Sequence, residues 1–158
     1  MVDGTIAPDD PRAADVRALL VRHLAFSNAH SPPEDVHALD LDGLLADDVE
    51  FFSFRRDGEL LGIGALKTLD PSHAELKSMH TVEASRRSGV GRAMVEHLLA
   101  IARARGFRRV SIETGSMDAY APARALYAGV GFEPCDPFGS YVASPNSSFM
   151  TLRIDGEG

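Results

Sequence analysis

The chain has a single cysteine, Cys135, which is too few for an internal disulfide and lies far from any Cys/His cluster. That excludes a disulfide scaffold and a structural zinc site together, and leaves an inert, partly buried thiol as the expectation for Cys135. No apolar run reaches the roughly 18 residues a membrane helix needs. The opening stretch MVDGTIAPDD has neither the basic nor the apolar segment of a secretory leader. A cytoplasmic protein without a membrane partner is expected. A long Lys/Arg stripe is also missing and the net charge is -7, which argues against a nucleic-acid partner.

The charge that is present is uneven. Residues 1–50 carry eleven acids against three arginines, residues 51–110 eleven Lys/Arg against six acids, and residues 111–158 two arginines against six acids. A basic middle with acidic flanks suits a protein that holds one compact polyanion at its centre and something neutral or cationic beside it. At 158 residues and 44% hydrophobic, the chain has the size and composition of one globular domain with a substantial core.

Apolar spacing from Val16 to Leu24, after Asp10-Pro11, predicts a helix over roughly residues 11 to 28. Ser31-Pro32-Pro33-Glu34 has the capping-box pattern of a second helix running to about Leu39. VEFFSFRR, Asp57-Gly58 and ELLGIGALKTL form a hairpin signal, and AELKSMHTV (74–82) is a third strand. Val90, Met94, Val95, Leu98, Leu99 and Ile101 mark a helix from Gly89 to Arg105, with Gly106 just past its end. RRVSIET (108–114) is a strand, and a helix follows to Ala128, tolerating Pro122 only in its first turn. A strand from Gly131-Phe132, a loop over 134–147 and the strand SFMTLRI complete a mixed α/β sheet, mostly antiparallel.

The junction SMHTVEASRRSGVGRAMVEHLL, residues 78–99, carries the chemistry. A helix start presents unpaired N–H groups and about half a positive charge, and glycines there let backbone approach a ligand. Arg86, Arg87 and Arg92 surround this one, so a diphosphate suits it. It is not a P-loop, because no Lys-Ser/Thr follows, nor a dinucleotide fingerprint, because Met94 stands at the third glycine. Gly-x-Ser-x-Gly and His-x-x-x-His are absent, which disfavours a nucleophilic triad or a metal.

Arg86-x-x-Gly89-x-Gly91 at a strand-to-helix turn resembles the acetyl-CoA motif of the GNAT superfamily of N-acetyltransferases, and the order of elements from about residue 5 to 154 resembles that fold. ALYAGVGF, ELKSM, IETG and SSFMTL resemble a bacterial branch of small acetyltransferases. Departures are Glu83 where the family has proline, Thr81 where it has valine, and Ser88 at an often basic position. The resemblance implies an α+β fold whose central strands, here 74–82 and 108–114, splay apart around the pantetheine arm. It implies acetyl-CoA as cosubstrate and an amine acceptor attacked directly. A non-catalytic CoA-binding module is the alternative, and a homodimer stays open.

The implied cofactor-binding set is Met79, His80, Thr81, Arg86, Arg87, Ser88, Gly89, Val90, Gly91 and Arg92. In it, backbone N–H groups of 79–81 would polarise the acetyl carbonyl. A lysine-like amine is only about 0.04% neutral at pH 7, so a proton acceptor is the main catalytic requirement. Glu75, eleven residues before Arg86 as in the histone-acetyltransferase branch, is the first candidate, with a carboxylate merely paired to Lys77 as the alternative. Alternation puts Glu75, Lys77, Met79 and Thr81 on one face and His80 on the other. Glu113 is the second candidate, as base or as substrate-orienting group. Tyr127 fits protonation of the leaving thiolate, or a core position.

Overall fold

The computed structural model of the protein describes residues 3–30, 41–86 and 88–155. In chain order the elements are β1 (Thr5–Pro8), α1 (Ala14–His30), α2 (Leu41–Leu44), β2 (Val49–Arg56), β3 (Glu59–Asp70), β4 (His73–Thr81), α3 (Val90–Ala104), β5 (Arg109–Gly115), α4 (Ala121–Val130), β6 (Glu133–Pro134) and β7 (Ser147–Arg153). The capping-box helix expected after Ser31 lies outside the described residues. β1 was not expected, and the strand expected at Gly131 shrinks to the two residues of β6.

The seven strands form one sheet in the order β1-β2-β3-β4-β5-β7-β6. All neighbours are antiparallel except β4 and β5. The β2-β3 hairpin turns at Asp57 (φ 51°) and Gly58 (φ 82°), the two consecutive left-handed residues that match the twist of the flanking strands.

The sheet is covered on both faces. α3 lays Val90, Met94, Val95, Leu98, Leu99 and Ala102 on one side, in a cluster with Phe52, Phe54, Leu66, Leu76, Val110 and Ile112. Each fully buried large apolar side chain there contributes about 1.5–3 kcal/mol. On the other side Val16 and Leu19 of α1 pack with Phe51, Ile63 and Ala65. Beyond α1 the loop before β7 covers the same face, with Phe138 and Tyr141 stacked edge-on or tilted against Phe149 at 5.8 and 5.7 Å.

β4 and β5 pair only from His73 to Glu75, opposite Arg109 to Ser111. Past that point β4 stays with β3 and β5 stays with β7. The centre of the sheet therefore opens.

Candidate active site

β4 does not alternate regularly. Ala65 is opposite Lys77 and Ile63 is opposite His80, so Ser78 and Met79 together face Gly64 in a β-bulge. Ser78 is left-handed, at φ 55°. The extra residue reverses the pattern: Glu75 and Lys77 lie on the α1 face, whereas Met79 packs into the α3 cluster and Thr81 approaches Gly91. His80 returns to the α1 face, against His23. This corrects the expected common face for Glu75, Lys77, Met79 and Thr81, and the expected separation of His80 from Glu75.

A cavity of about 580 Å³ fills the gap between β4 and β5 and reaches both faces of the sheet. At one end lie Arg86, Gly89, Val90, Gly91 and Arg92, and Met79, His80 and Thr81 line its β4 wall. Gly89 is the N-cap of α3 at φ 92°, and no side chain caps that end, so the first N–H groups of the helix keep no side-chain acceptor. Gly91 sits where a Cβ would meet Leu126 Cδ2 at 3.2 Å, which lets α3 start close against α4. Val90 is 1% exposed and belongs to the core, so only its backbone can serve a ligand. Ser88 does not line the cavity; its hydroxyl donates to the Ser85 carbonyl. Arg92 pairs with Glu96 at 3.1 Å, and Arg87 is outside the described residues.

At the other end stand Glu75, Lys77, Glu113 and Tyr141. Glu75 is 3% exposed. Its Oε2 accepts the Tyr141 hydroxyl at 2.5 Å and lies 3.5 Å from Lys77 Nζ, which itself donates to Tyr141 at 2.8 Å. Burial, and then the negative charge of Glu75 that the hydroxyl faces, push the Tyr141 pKa far up, with Glu113 adding in the same direction. Below Glu75, His73 Nε2 is 2.7 Å from Ser111 Oγ, which is 2.8 Å from Thr151 Oγ1. That polar row ties together β4, β5 and β7 beside the point where β4 and β5 part.

The third wall comes from α4. Arg124 donates to the carbonyls of Gly115 at 2.7 Å and Met117 at 3.0 Å, fixing α4 to the end of β5. Tyr127 thereby borders the cavity while 4% exposed, edge-on to Phe132 at 5.8 Å, and burial raises its pKa well above the ordinary phenol value. Across the gap, His23 and His80 bring their Nδ1 atoms to 3.2 Å. One ring must carry the proton between them and the other accept it. Burial brings both pKa values down to about 4, helped for His23 by Lys77 and for His80 by His23, Arg86 and Arg22.

The structure thus gathers Glu75, Glu113 and Tyr127 around one gap. Tyr141, Ser78 and His23 join them without having been singled out, and Lys77 stands 3.5 Å from Glu75, the pairing given above as the alternative for that carboxylate. Ser78 Oγ is buried, borders the cavity and has no hydrogen-bond partner among the described residues.

The family model of GNAT acetyltransferases matches residues 15–132. The chain belongs to the GNAT family of acetyltransferases. It is 43% identical over 146 residues, 92% of its length and 97% of the relative's, to the uncharacterized N-acetyltransferase YsnE of Bacillus subtilis. It is 40% identical over 150 residues to the uncharacterized N-acetyltransferase YedL of Escherichia coli, covering 95% of this chain and 94% of that one. A GNAT acetyltransferase of Elizabethkingia anophelis, crystallised with acetyl-CoA bound, superposes with a TM-score of 0.73 at 17% identity, over 98% of this chain and 100% of the other.

GNAT acetyltransferases draw their acetyl group from acetyl-CoA, and this enzyme has a place that fits it. The opened strands admit a narrow arm, the uncapped turn at Gly89 suits a diphosphate, and the unpartnered Ser78 hydroxyl marks the polar middle of the gap. Among the described residues no helix is long and apolar enough to cross a membrane, and no cluster of three or more His, Cys, Asp or Glu could hold a metal ion.

Proposed function

We propose that the protein transfers the acetyl group of acetyl-CoA to a primary amine, on a small molecule or an exposed amino group, by direct attack in a ternary complex. The observation that carries this reading is the cavity between β4 and β5, with the Gly89 turn at one end and two carboxylates at the other. The thioester supplies the activated acetyl group; the chain supplies position and proton transfer.

The α3 N-terminus, with Arg86 and Arg92 beside it, binds the diphosphate. Backbone N–H groups from Met79 to Thr81 orient the acetyl carbonyl. Glu113, half-buried and bordering the cavity, takes the amine proton. Glu75 supports that role through its charge and holds Tyr141 and Lys77 in place, its Oε2 being shared with both. Tyr127, kept protonated by burial, donates to the departing sulfur.

Steady-state kinetics with a panel of primary amines, following acetyl-CoA-dependent thiol release, test this. Glu113→Gln should lower kcat by about 10²-fold or more, and Tyr127→Phe by about tenfold, with acetyl-CoA affinity held. If Glu75→Gln removes turnover while Glu113→Gln keeps it, the two carboxylates exchange roles. Acetyl-CoA binding without turnover of any amine would leave a binding module.

A further inference from the structure

Ser78 combines two destabilising features at one position. It is left-handed at φ 55°, a conformation costly for residues other than glycine, asparagine and aspartate. Its Oγ is buried without a hydrogen-bond partner among the described residues, and the residue is only 6% exposed, so bulk water does not replace that partner. Glycine here would remove both costs. Other buried hydroxyls of the sheet are satisfied: Ser53 donates to Asp9, and Ser111 meets His73 and Thr151. Among the described residues the other buried hydroxyl without a partner is that of Ser147, paired with Gly115 at the end of β5, and Ser147 does not line the cavity. Ser78 does.

Its place on β4 points to the atom it meets. β4 has parted from β5 after Glu75, and the bulge that holds Ser78 leads directly into Met79, His80 and Thr81, which line the same gap. Resting on the reading above, which brings the acetyl carbonyl to the N–H groups of 79–81, we propose that Ser78 Oγ donates a hydrogen bond to the carbonyl oxygen of the acetyl thioester. One side-chain torsion sets where Oγ points along the cavity wall. As the amine nitrogen bonds to the carbonyl carbon, an electron pair moves onto that oxygen; it returns as the C–S bond breaks and sulfur leaves with the bonding pair. The hydroxyl keeps its proton throughout. It stabilises the charge that develops on oxygen, an effect strongest where water is excluded. Such a role explains a serine where stability favours glycine.

Infrared spectroscopy tests this without any acceptor. Wild type, Ser78→Ala and Ser78→Gly are each saturated with acetyl-CoA isotopically labelled at the thioester carbonyl, and the stretch of that carbonyl is read. It should lie at higher wavenumber in both variants, because losing a hydrogen bond stiffens the C=O bond. CoA affinity by calorimetry should stay within about twofold, and kcat for the amines of the panel that turn over should fall by about tenfold or more. Ser78→Gly should show this with thermal stability equal to wild type or higher, which a packing role would not produce. An unshifted stretch overturns the inference and leaves acetyl transfer standing; if CoA and acetyl-CoA affinity then fall together, the hydroxyl meets the pantetheine arm instead. A shifted stretch with kcat unchanged overturns the part given to Ser78 in the transition state. A shifted stretch with no acetylation of any amine supports the contact and overturns the transferase reading.

Discussion

Tyr141 donates its hydroxyl hydrogen to Glu75 Oε2 at 2.5 Å, joining the loop before β7 to a strand 66 residues earlier. The Tyr141 hydroxyl oxygen in turn accepts from Lys77 Nζ at 2.8 Å, so one phenol orders two buried charges at the mouth of the opened sheet. Tyr141→Phe removes the hydrogen bond from both. The expected loss is about 1–3 kcal/mol of stability in urea denaturation, the range for a buried polar group deprived of a partner. The acceptor KM should rise, while acetyl-CoA affinity by calorimetry stays within twofold or so, because Tyr141 lies at the acceptor end. An unchanged acceptor KM would remove Tyr141 from the acceptor site.

Gly89 adopts φ 92° at the start of α3. Gly89→Ala forces a Cβ into the left-handed region at about 1–2 kcal/mol, and the turn relaxes away from the orientation that presents its N–H groups. Calorimetry should show acetyl-CoA affinity falling by about tenfold or more, since each 1.4 kcal/mol is a factor of ten. Ala at Gly129, a helical position with open space around a Cβ, is the control and should leave affinity unchanged.

Ser78 combines a left-handed backbone with a buried hydroxyl that has no partner among the described residues. Ser78→Gly accommodates the dihedral and removes the orphan, and should leave thermal stability equal or higher. Ser78→Val, β-branched at positive φ, should lose on the order of 1–3 kcal/mol. If valine were as stable as glycine, β4 would not be bulged there.

His23 and His80 titrate in the native protein near 4 rather than near the free-histidine value of 6.5. Between those limits the unfolded chain binds protons that the native state does not, so stability rises with pH across the window. The contribution is complete above about pH 6.5 and is lost as pH falls toward about 4. His73 shifts in the same direction, chiefly through burial. Melting temperature measured from pH 4 to 8 should climb and then flatten near 6.5, and His23→Gln/His80→Gln should shallow the slope. A flat profile in the wild type would show the pair to be solvated.

The elements most legible in the sequence are those whose signals are local. The apolar stripe of α3, its flanking Gly89 and Gly106, and the Asp57-Gly58 turn all lie where periodicity and turn chemistry put them. β1 escaped notice because four exposed or half-exposed residues ending at Pro8 carry no alternation; it exists by pairing with β2. The bulge at Ser78 also has no local signal, since serine does not favour positive φ, and one unrecognised extra residue exchanged the faces of Met79, His80 and Thr81. Tyr141 comes from a loop without periodicity, and only the folded chain brings it to Glu75. The glycine turn and the carboxylates were visible as residue types, but their meeting at one gap is a tertiary property.

The central claim is that the gap between β4 and β5 carries acetyl groups from acetyl-CoA to an amine. Mass spectrometry of product formed by purified protein from isotopically labelled acetyl-CoA and the panel of primary amines tests it most directly. The account predicts a labelled N-acetyl amide from at least one amine, formed catalytically and reduced about 10²-fold or more in Glu113→Gln. No labelled amide above the uncatalysed background, with acetyl-CoA bound at full occupancy, would contradict it.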